Sequence, residues 1–363
     1  SSHLYSESKL SALNIREVEP SYDNKSKIVD GREIINKFFD LTFKNNPLVF
    51  AVGEDVGIIG GVNQGFANLQ KKYGKLRITD TGIRESSIIG QGIGTALRGL
   101  RPIVEIQYLD YVYWAIQTLS DDLSTLHYRT KGGQKAPVII RTRGHRLEGI
   151  WHSGSPMGTL VNSLRGINVL VPRNFVEAAG MYNTLLLSDE PGIIIEPLNA
   201  YRLKENLPNN LDKISVEFGV PSILKEGKDI SIVTYGSMCR IVLDAARELD
   251  EIGISCEVID VRTLLPFDKN KTIVNSIKKT NRVVFADEDV SGGASAFMMQ
   301  NVVENQNAYF YLDSKPITIH SNDHRPAYSS DGDYFSKPNC ENIFDKIYSL
   351  FNELNPKAYP SLR

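Results

Sequence analysis

The sequence predicts an α/β protein of two doubly wound domains. Short, continuously apolar runs of strand length recur along the chain, helical stretches with apolar spacings of three to four separate them, and the alternation lapses once, near residue 206, before resuming. Strands that are apolar at every position must be buried on both faces, as in parallel sheets covered by helices. A chain of 363 residues, 41% of them hydrophobic, is long enough to close two such cores.

Residues 1–28 read as a polar leader of mixed charge, without the basic start and apolar middle of a secretory signal. The first residue is not methionine, so the start reads as a processed, tagged or internal end. The first domain is placed at 29–205. Ile34, Ile35, Phe38, Phe39 and Leu41 recur at helical spacing from Asp30, and the helix should stop at Asn45-Asn46-Pro47. Leu48 to Val52 is a buried strand running into Gly53-Glu54-Asp55. Gly57-Ile58-Ile59-Gly60-Gly61 reads as a flexible loop able to cover a pocket. The stretch Thr79 to Ala96 begins with turn formers and continues as a nearly uncharged helix headed by Glu85. Further strands are expected at Pro102–Tyr108, Val138–Ile140, Val169–Val171 and Ile193–Ile195, with helices at Asp110–His127, Thr159–Leu164 and Phe175–Leu187. Residues 206–221, with Leu207-Pro208-Asn209-Asn210, read as a linker. The second domain, 222–363, opens with a strand from Ile230, followed by a helix over Ile241, Val242, Ala245, Ala246 and Leu249. Its other strands are Cys256–Val261, Val283–Ala286 and Pro316–His320.

Bulk properties narrow the function. The 41 basic and 43 acidic residues nearly cancel, and no basic cluster with interleaved aromatics stands out, so a nucleic-acid partner is not expected. No apolar run approaches a membrane span. Cys239, Cys256 and Cys340 are odd in number and scattered, which suits small buried thiols in a reducing compartment better than a disulfide framework or a zinc site.

Glu85 is the misfit of its helix. A carboxylate heading an apolar helix either satisfies free N–H groups there, is stabilised by the helix dipole, or is kept for chemistry. His152, in Ile150-Trp151-His152-Ser153-Gly154-Ser155-Pro156, is a loop histidine, a residue type that exchanges protons near neutral pH. His145 has no partner at metal-binding spacing. Gly90-Gln91-Gly92-Ile93-Gly94 misses the dinucleotide fingerprint by one residue and lies inside a helix. Close packing against another helix, across a subunit interface, is expected instead.

In Gly53-Glu54-Asp55-Val56, Lys72-Tyr73-Gly74, Thr79 to Gly94, Arg101-Pro102-Ile103-Val104-Glu105-Ile106-Gln107-Tyr108, Asp110-Tyr111, Tyr128-Arg129, Trp151 to Pro156 and Cys256 to Pro266, the chain resembles a known family. It is similar to the β subunit, or β-like half, of the thiamine-diphosphate-dependent 2-oxoacid dehydrogenases, their E1 component. The resemblance runs from about Val29 to about Pro360. The Glu-Ile-Gln-aromatic-x-Asp-Tyr pattern looks more like the branched-chain 2-oxoacid enzymes than the pyruvate enzymes, although Thr142 departs from it, standing where branched-chain enzymes often have a tryptophan.

The resemblance implies a thiamine-diphosphate pyrimidine-binding domain followed by a transketolase C-terminal-type domain. It further implies oxidative decarboxylation of a 2-oxoacid with reductive acylation of a lipoyl group. Glu85 falls on the glutamate that hydrogen-bonds N1′ of the aminopyrimidine, favouring the tautomer that takes the cofactor's C2 proton, a role worth roughly 10²–10⁴-fold. Tyr111 matches the aromatic lying against that ring, Ile83 lines its pocket, and His152 acts at the substrate end beside Gln107 and Tyr108. The family's other half carries the magnesium that holds the diphosphate, through Gly-Asp-Gly and a later Asn-Asn. Asp331-Gly332-Asp333 has no such continuation, so no magnesium ligand is expected in this chain. The implied partners are an α-type half, separate or fused upstream, a lipoyl acyltransferase E2 and a second copy of this chain, in the cytoplasm or a mitochondrial matrix. Competing readings are pyruvate dehydrogenase E1 β, a transketolase-type enzyme, and an assembly scaffold for the complex.

Overall fold

The computed structural model describes residues 2–144, 151–152, 154–327 and 329–362. In chain order its strands are β1 (Ile28–Asp30), β2 (Val49–Gly53), β3 (Ile78–Asp80), β4 (Arg101–Glu105), β5 (Ile139–Gly144), β6 (Asn168–Leu170), β7 (Gly192–Pro197), β8 (Lys204–Asn206), β9 (Ser222–Lys225), β10 (Ile230–Thr234), β11 (Cys256–Asp260), β12 (Thr263–Leu265), β13 (Val283–Val290) and β14 (Ile317–Ser321). The α-helices are α1 (Gly31–Asn45), α2 (Leu69–Tyr73), α3 (Glu85–Leu97), α4 (Ser124–Arg129), α5 (Met157–Ser163), α6 (Phe175–Leu187), α7 (Met238–Glu251), α8 (Thr272–Thr280), α9 (Ala294–Met299), α10 (Ser329–Ser336) and α11 (Cys340–Leu354).

Two compact units result. The first takes in the described residues up to 144, then 160–219 and 263–267. The second takes in the described residues from 151 to 159, then 220–262 and 268–362. In the first, seven strands lie in the order β12-β6-β7-β5-β4-β2-β3, all parallel except the edge pair β12–β6. Helix α1 starts at a capping box of Asp30 and Glu33 and packs Phe38 and Phe39 against Tyr182 of α6. Every residue of β5 and β7 is buried, as two-sided coverage demands. In the second unit the order is β14-β13-β10-β11-β9, with only β9 antiparallel. There α7 lays Met238, Val242, Ala245, Ala246 and Leu249 in one core with Ile343, Ile347 and Phe351 of α11, each set spaced to form one helical face.

Several expectations change. The expected helix 110–127 is three pieces: a 3₁₀ segment Leu109–Ala115, a wide π-type turn Thr118–Leu123, and α4. The expected linker 206–221 is core structure, since Leu211, Ile214, Val216 and Phe218 are buried with α1 and α6 and the Asn183 amide donates to the carbonyls of Leu211 and Ile214. Nor is the leader free. Ala12 is fully buried, and the Glu190 carboxylate accepts from the backbone N–H groups of Ser6 at 2.8 Å and Ala12 at 2.7 Å. The loop expected to be flexible is tied down, with the N–H groups of Gly57 and Ile58 donating to the two carboxylate oxygens of Asp80. Gly60 and Gly61 both take positive φ, a conformation glycine adopts without strain. Of the thiols, Cys239 and Cys256 are buried and Cys340 is half-buried.

Candidate active site

The connection from β2 leads to β3 on one side of it, and the chain then crosses back to β4 on the other. In an open parallel sheet such a reversal opens a crevice beyond the carboxyl ends of the strands. Three of those ends meet here. β2 runs out into Glu54 and Asp55, β3 into the turn that delivers Glu85 at the first position of α3, and β4 into Gln107, Tyr108 and the 3₁₀ segment holding Tyr111.

Local bonds fix this geometry. The Thr81 N–H donates to the Gly53 carbonyl at 3.0 Å, so the β3 exit is tied to the end of β2. The Gln107 amide donates to Asp55 at 3.1 Å, tying the β4 exit to the β2 exit. The Ser86 hydroxyl donates to the Trp114 carbonyl, which joins the head of α3 to the 3₁₀ segment. Tyr108 and Tyr111 meet edge to face, 5.7 Å between ring centres. Gly92 explains how α3 lies so close to the sheet, because a Cβ there would come within 2.7 Å of Val104 on β4 and 3.0 Å of Val138. That corrects the expected helix-on-helix role for Gly92. A Cβ on Gly90 or Gly94 would meet nothing.

Glu85 is half-buried, and among the described residues its carboxylate has no hydrogen-bond or ion-pair partner. Satisfying the free N–H groups of its helix is therefore not what occupies it. Its charge is felt nearby. Burial first, then Asp55 and Glu85, push the Glu54 carboxyl above its ordinary value. Burial also leads the upward shift of the Tyr111 hydroxyl, followed by Tyr108, Asp110, Glu54 and Glu85. Glu85, Tyr111, Tyr108 and Glu54 thus form one cluster, with Ile83 just before it, 75% exposed. Glu54 had no role in the sequence reading, though its place after a buried strand was a usable signal. His152 lies with the second unit, half-buried. His145 lies outside the described residues.

Beneath the crevice the sheet holds a neutral set of buried ions. Glu105 of β4 lies opposite Arg141 of β5, and Arg143 lies opposite Glu196 of β7. All four side chains are fully buried. Arg141 pairs with Glu105, donates to both oxygens of Glu196 at 2.9 and 3.0 Å and to Tyr201 at 2.9 Å, and stacks over Phe39 and Phe66. Burial alone would raise the Glu196 carboxyl, but Arg141 and then Arg143 hold it below its usual range. Gly65 lies so near that a Cβ would come within 2.4 Å of the Arg141 guanidinium, so the loop after β2 closes over these ions. Thr142, between the two arginines, is fully buried.

Residues 27–204 match the family of the transketolase pyrimidine binding domain, and residues 219–343 match that of the transketolase C-terminal domain. A pyruvate dehydrogenase E1 component subunit beta of Acholeplasma laidlawii is 32% identical over 78% of this chain and 86% of its own length. The proteins of that name in Staphylococcus aureus and Bacillus subtilis are each 36% identical, over 70% and 68% of this chain and 78% and 75% of their own lengths. Among solved structures, one described as a split gene transketolase, inactive beta4 tetramer, superposes with a TM-score of 0.71 over 89% of this chain and 98% of that one. At 20% identity it shows the shared fold.

Proposed function

The chain belongs to the β-subunit family of the thiamine-diphosphate-dependent 2-oxoacid dehydrogenase E1 components, and we propose that it is the β part of a pyruvate dehydrogenase E1. The Acholeplasma, Staphylococcus and Bacillus relatives, which span most of both chains, carry that name. The branched-chain reading rests only on the motif around Gln107, whose amide is engaged with Asp55, and it gives way to the pyruvate reading.

One observation carries the site assignment: a carboxylate at the head of an apolar helix, without a partner among the described residues, whose charge is felt at Tyr111, itself edge to face with Tyr108. An acceptor oxygen, flat aromatic surface and the exposed side chain of Ile83 suit a planar, protonated heteroaromatic ring such as the aminopyrimidine of thiamine diphosphate. When bound, that cofactor supplies the nucleophilic carbon that attacks a 2-oxoacid carbonyl. Glu85 would accept the hydrogen bond of the pyrimidine N1′–H and, by stabilising the proton there, favour the tautomer whose exocyclic nitrogen can take up the C2 proton. Tyr111 lies against the ring and excludes water, and Ile83 is covered by it. His152 acts at the substrate end, with Gln107 and Tyr108 framing the crevice mouth. Magnesium and the diphosphate fall to an α-type half, because Asp331-Gly332-Asp333 lacks the family's Asn-Asn continuation. The open face of α3 at Gly90 and Gly94 is where a second copy of this chain packs. The acyl acceptor is the lipoyl group of an E2.

The test is activity of this chain assembled with its α-type half against pyruvate, 2-oxobutyrate and 2-oxoisovalerate. Since each methylene in an apolar pocket is worth about 10–200-fold in kcat/KM, pyruvate should lead by at least about tenfold. A lead of that size for 2-oxoisovalerate would restore the branched-chain assignment.

A further inference from the structure

Three successive acids, Asp287, Glu288 and Asp289, lie in β13 within the second unit, and their partners differ. Asp287, fully buried, accepts from the Tyr235 hydroxyl and from the Ser295 N–H at 3.0 Å. Glu288 faces the Lys337 ammonium at 3.2 Å, both side chains shut off from solvent, and the Ser155 hydroxyl lies 3.4 Å from the same oxygen. Asp289 accepts the Gly158 N–H at 2.7 Å. Two of the three acids therefore hold the segment that carries His152.

The close fit is made by glycine. A Cβ on Gly158 would come within 2.9 Å of the Gly293 backbone and 3.1 Å of the Asp289 carboxylate, and a Cβ on Gly293 would meet that carboxylate at 2.3 Å. Gly158 is the second residue of α5, where backbone N–H groups have no partner within the helix. A carboxylate there makes a charge-assisted bond and complements the helix dipole. His152, six residues earlier, lies in a turn outside any helix or strand. Such a segment pays roughly 1–2 kcal/mol of conformational entropy per residue to stay in one place, so a fixed end matters.

We propose that Asp289, backed by Glu288, is a positioning residue for His152, anchoring its segment through the Gly158 N–H and the Ser155 hydroxyl. This rests on the reading of His152 as the substrate-end residue and extends it to the residues that place it. Asp289 touches no reacting atom in this scheme and acts only through the histidine.

The experiment uses the enzyme assembled with its α-type half and compares Asp289→Ala, Asp289→Asn, His152→Ala and the double alanine variant. Two rates are read from each preparation: exchange of the cofactor C2 proton and reductive acylation of a lipoyl domain. Displacing a reacting group by about 1 Å can cost on the order of 100-fold, so Asp289→Ala should lose about 10- to 100-fold in acylation and stay within about twofold in exchange. Asp289→Asn, whose amide oxygen can still accept the Gly158 N–H, should recover most of that loss. On a His152→Ala background Asp289→Ala should add nothing, the non-additivity of residues acting as one unit. Gly158→Ala, which forces Gly293 and Asp289 apart, should repeat the alanine pattern and stands in if Asp289→Ala does not assemble. Losses that multiply in the double variant, or wild-type acylation by Asp289→Ala beside an impaired His152→Ala, overturn the proposal. Wild-type acylation by His152→Ala overturns the underlying reading of the histidine, and the proposal with it.

Discussion

Replacing Arg141 by methionine should destabilise the protein strongly while changing little in shape. Arg141 is fully buried, pairs with Glu105, donates twice to Glu196 and once to Tyr201, and fills the space over Phe39 and Phe66. Methionine keeps much of the volume but leaves Arg143, itself paired with Glu105, as the cation opposite Glu196, with the Tyr182 and Tyr201 hydroxyls still donating to it. Breaking a buried pair by removing one partner costs about 3–5 kcal/mol, a large part of the roughly 5–15 kcal/mol that holds a domain folded. The pH dependence follows from signs. In the wild type the Glu196 carboxyl is held low despite burial, so its stabilisation is present above the unfolded carboxyl pKa, about 4.3, and fades as pH falls. In the variant the largest influence opposing burial is gone and only Arg143 and the tyrosine hydroxyls still favour the anion, so the folded carboxyl rises, and where it passes the unfolded value stability is lost as pH climbs toward neutral. The gap between the two proteins should therefore be wider at pH 7 than at pH 4.5. Urea unfolding followed by circular dichroism at both pH values measures it. Arg16→Ala, which removes an ion pair with Glu217 whose arginine is 78% exposed, should cost under about 1 kcal/mol. A loss below about 1 kcal/mol for Arg141→Met, or a gap independent of pH, would refute the reasoning.

Two further outcomes are expected. Gly92→Ala should destabilise by about 1–3 kcal/mol, because Val104 and Val138 stand where the methyl must go, a loss read as a lower melting point of the isolated chain. Purified alone, the chain should be a folded dimer without 2-oxoacid decarboxylase activity, and calorimetry should detect no magnesium-dependent binding of thiamine diphosphate. Adding the α-type half should restore binding and activity together, and tight binding by the chain alone would locate a diphosphate site within it.

Much of this fold was legible because local signals agreed with it. α6 spans the predicted Phe175–Leu187, opened by an Asn174 cap and lined by apolar residues at helical spacing. What escaped was non-local. Glu105, Arg141, Arg143 and Glu196 were visible as charges inside apolar strands, but which charge meets which depends on the order β4-β5-β7, in which β6 is skipped. Residues 206–221 lacked helical period, yet Ile214, Val216 and Phe218 alternate with period two, the mark of extended chain, and all three are buried. In the broken helix 110–127 the apolar spacing of Val112, Ala115, Ile116, Leu119, Leu123 and Leu126 matches what is buried except at Ile116, which is half-buried. Spacing alone could not tell an α-helix from tighter and wider turns that bury the same residues. At the candidate site Glu85 stood out as a misfit carboxylate, whereas Glu54 required the sheet order to bring it near.

The central claim is that the Glu85 carboxylate serves the cofactor's pyrimidine ring. Exchange of the C2 proton of thiamine diphosphate, measured in the assembled enzyme with Glu85→Gln, tests it most directly. A glutamine keeps the size of the side chain and removes its charge, so the circular-dichroism spectrum should match the wild type while exchange slows by roughly 10²–10⁴-fold. Exchange at the wild-type rate in that variant would contradict the account.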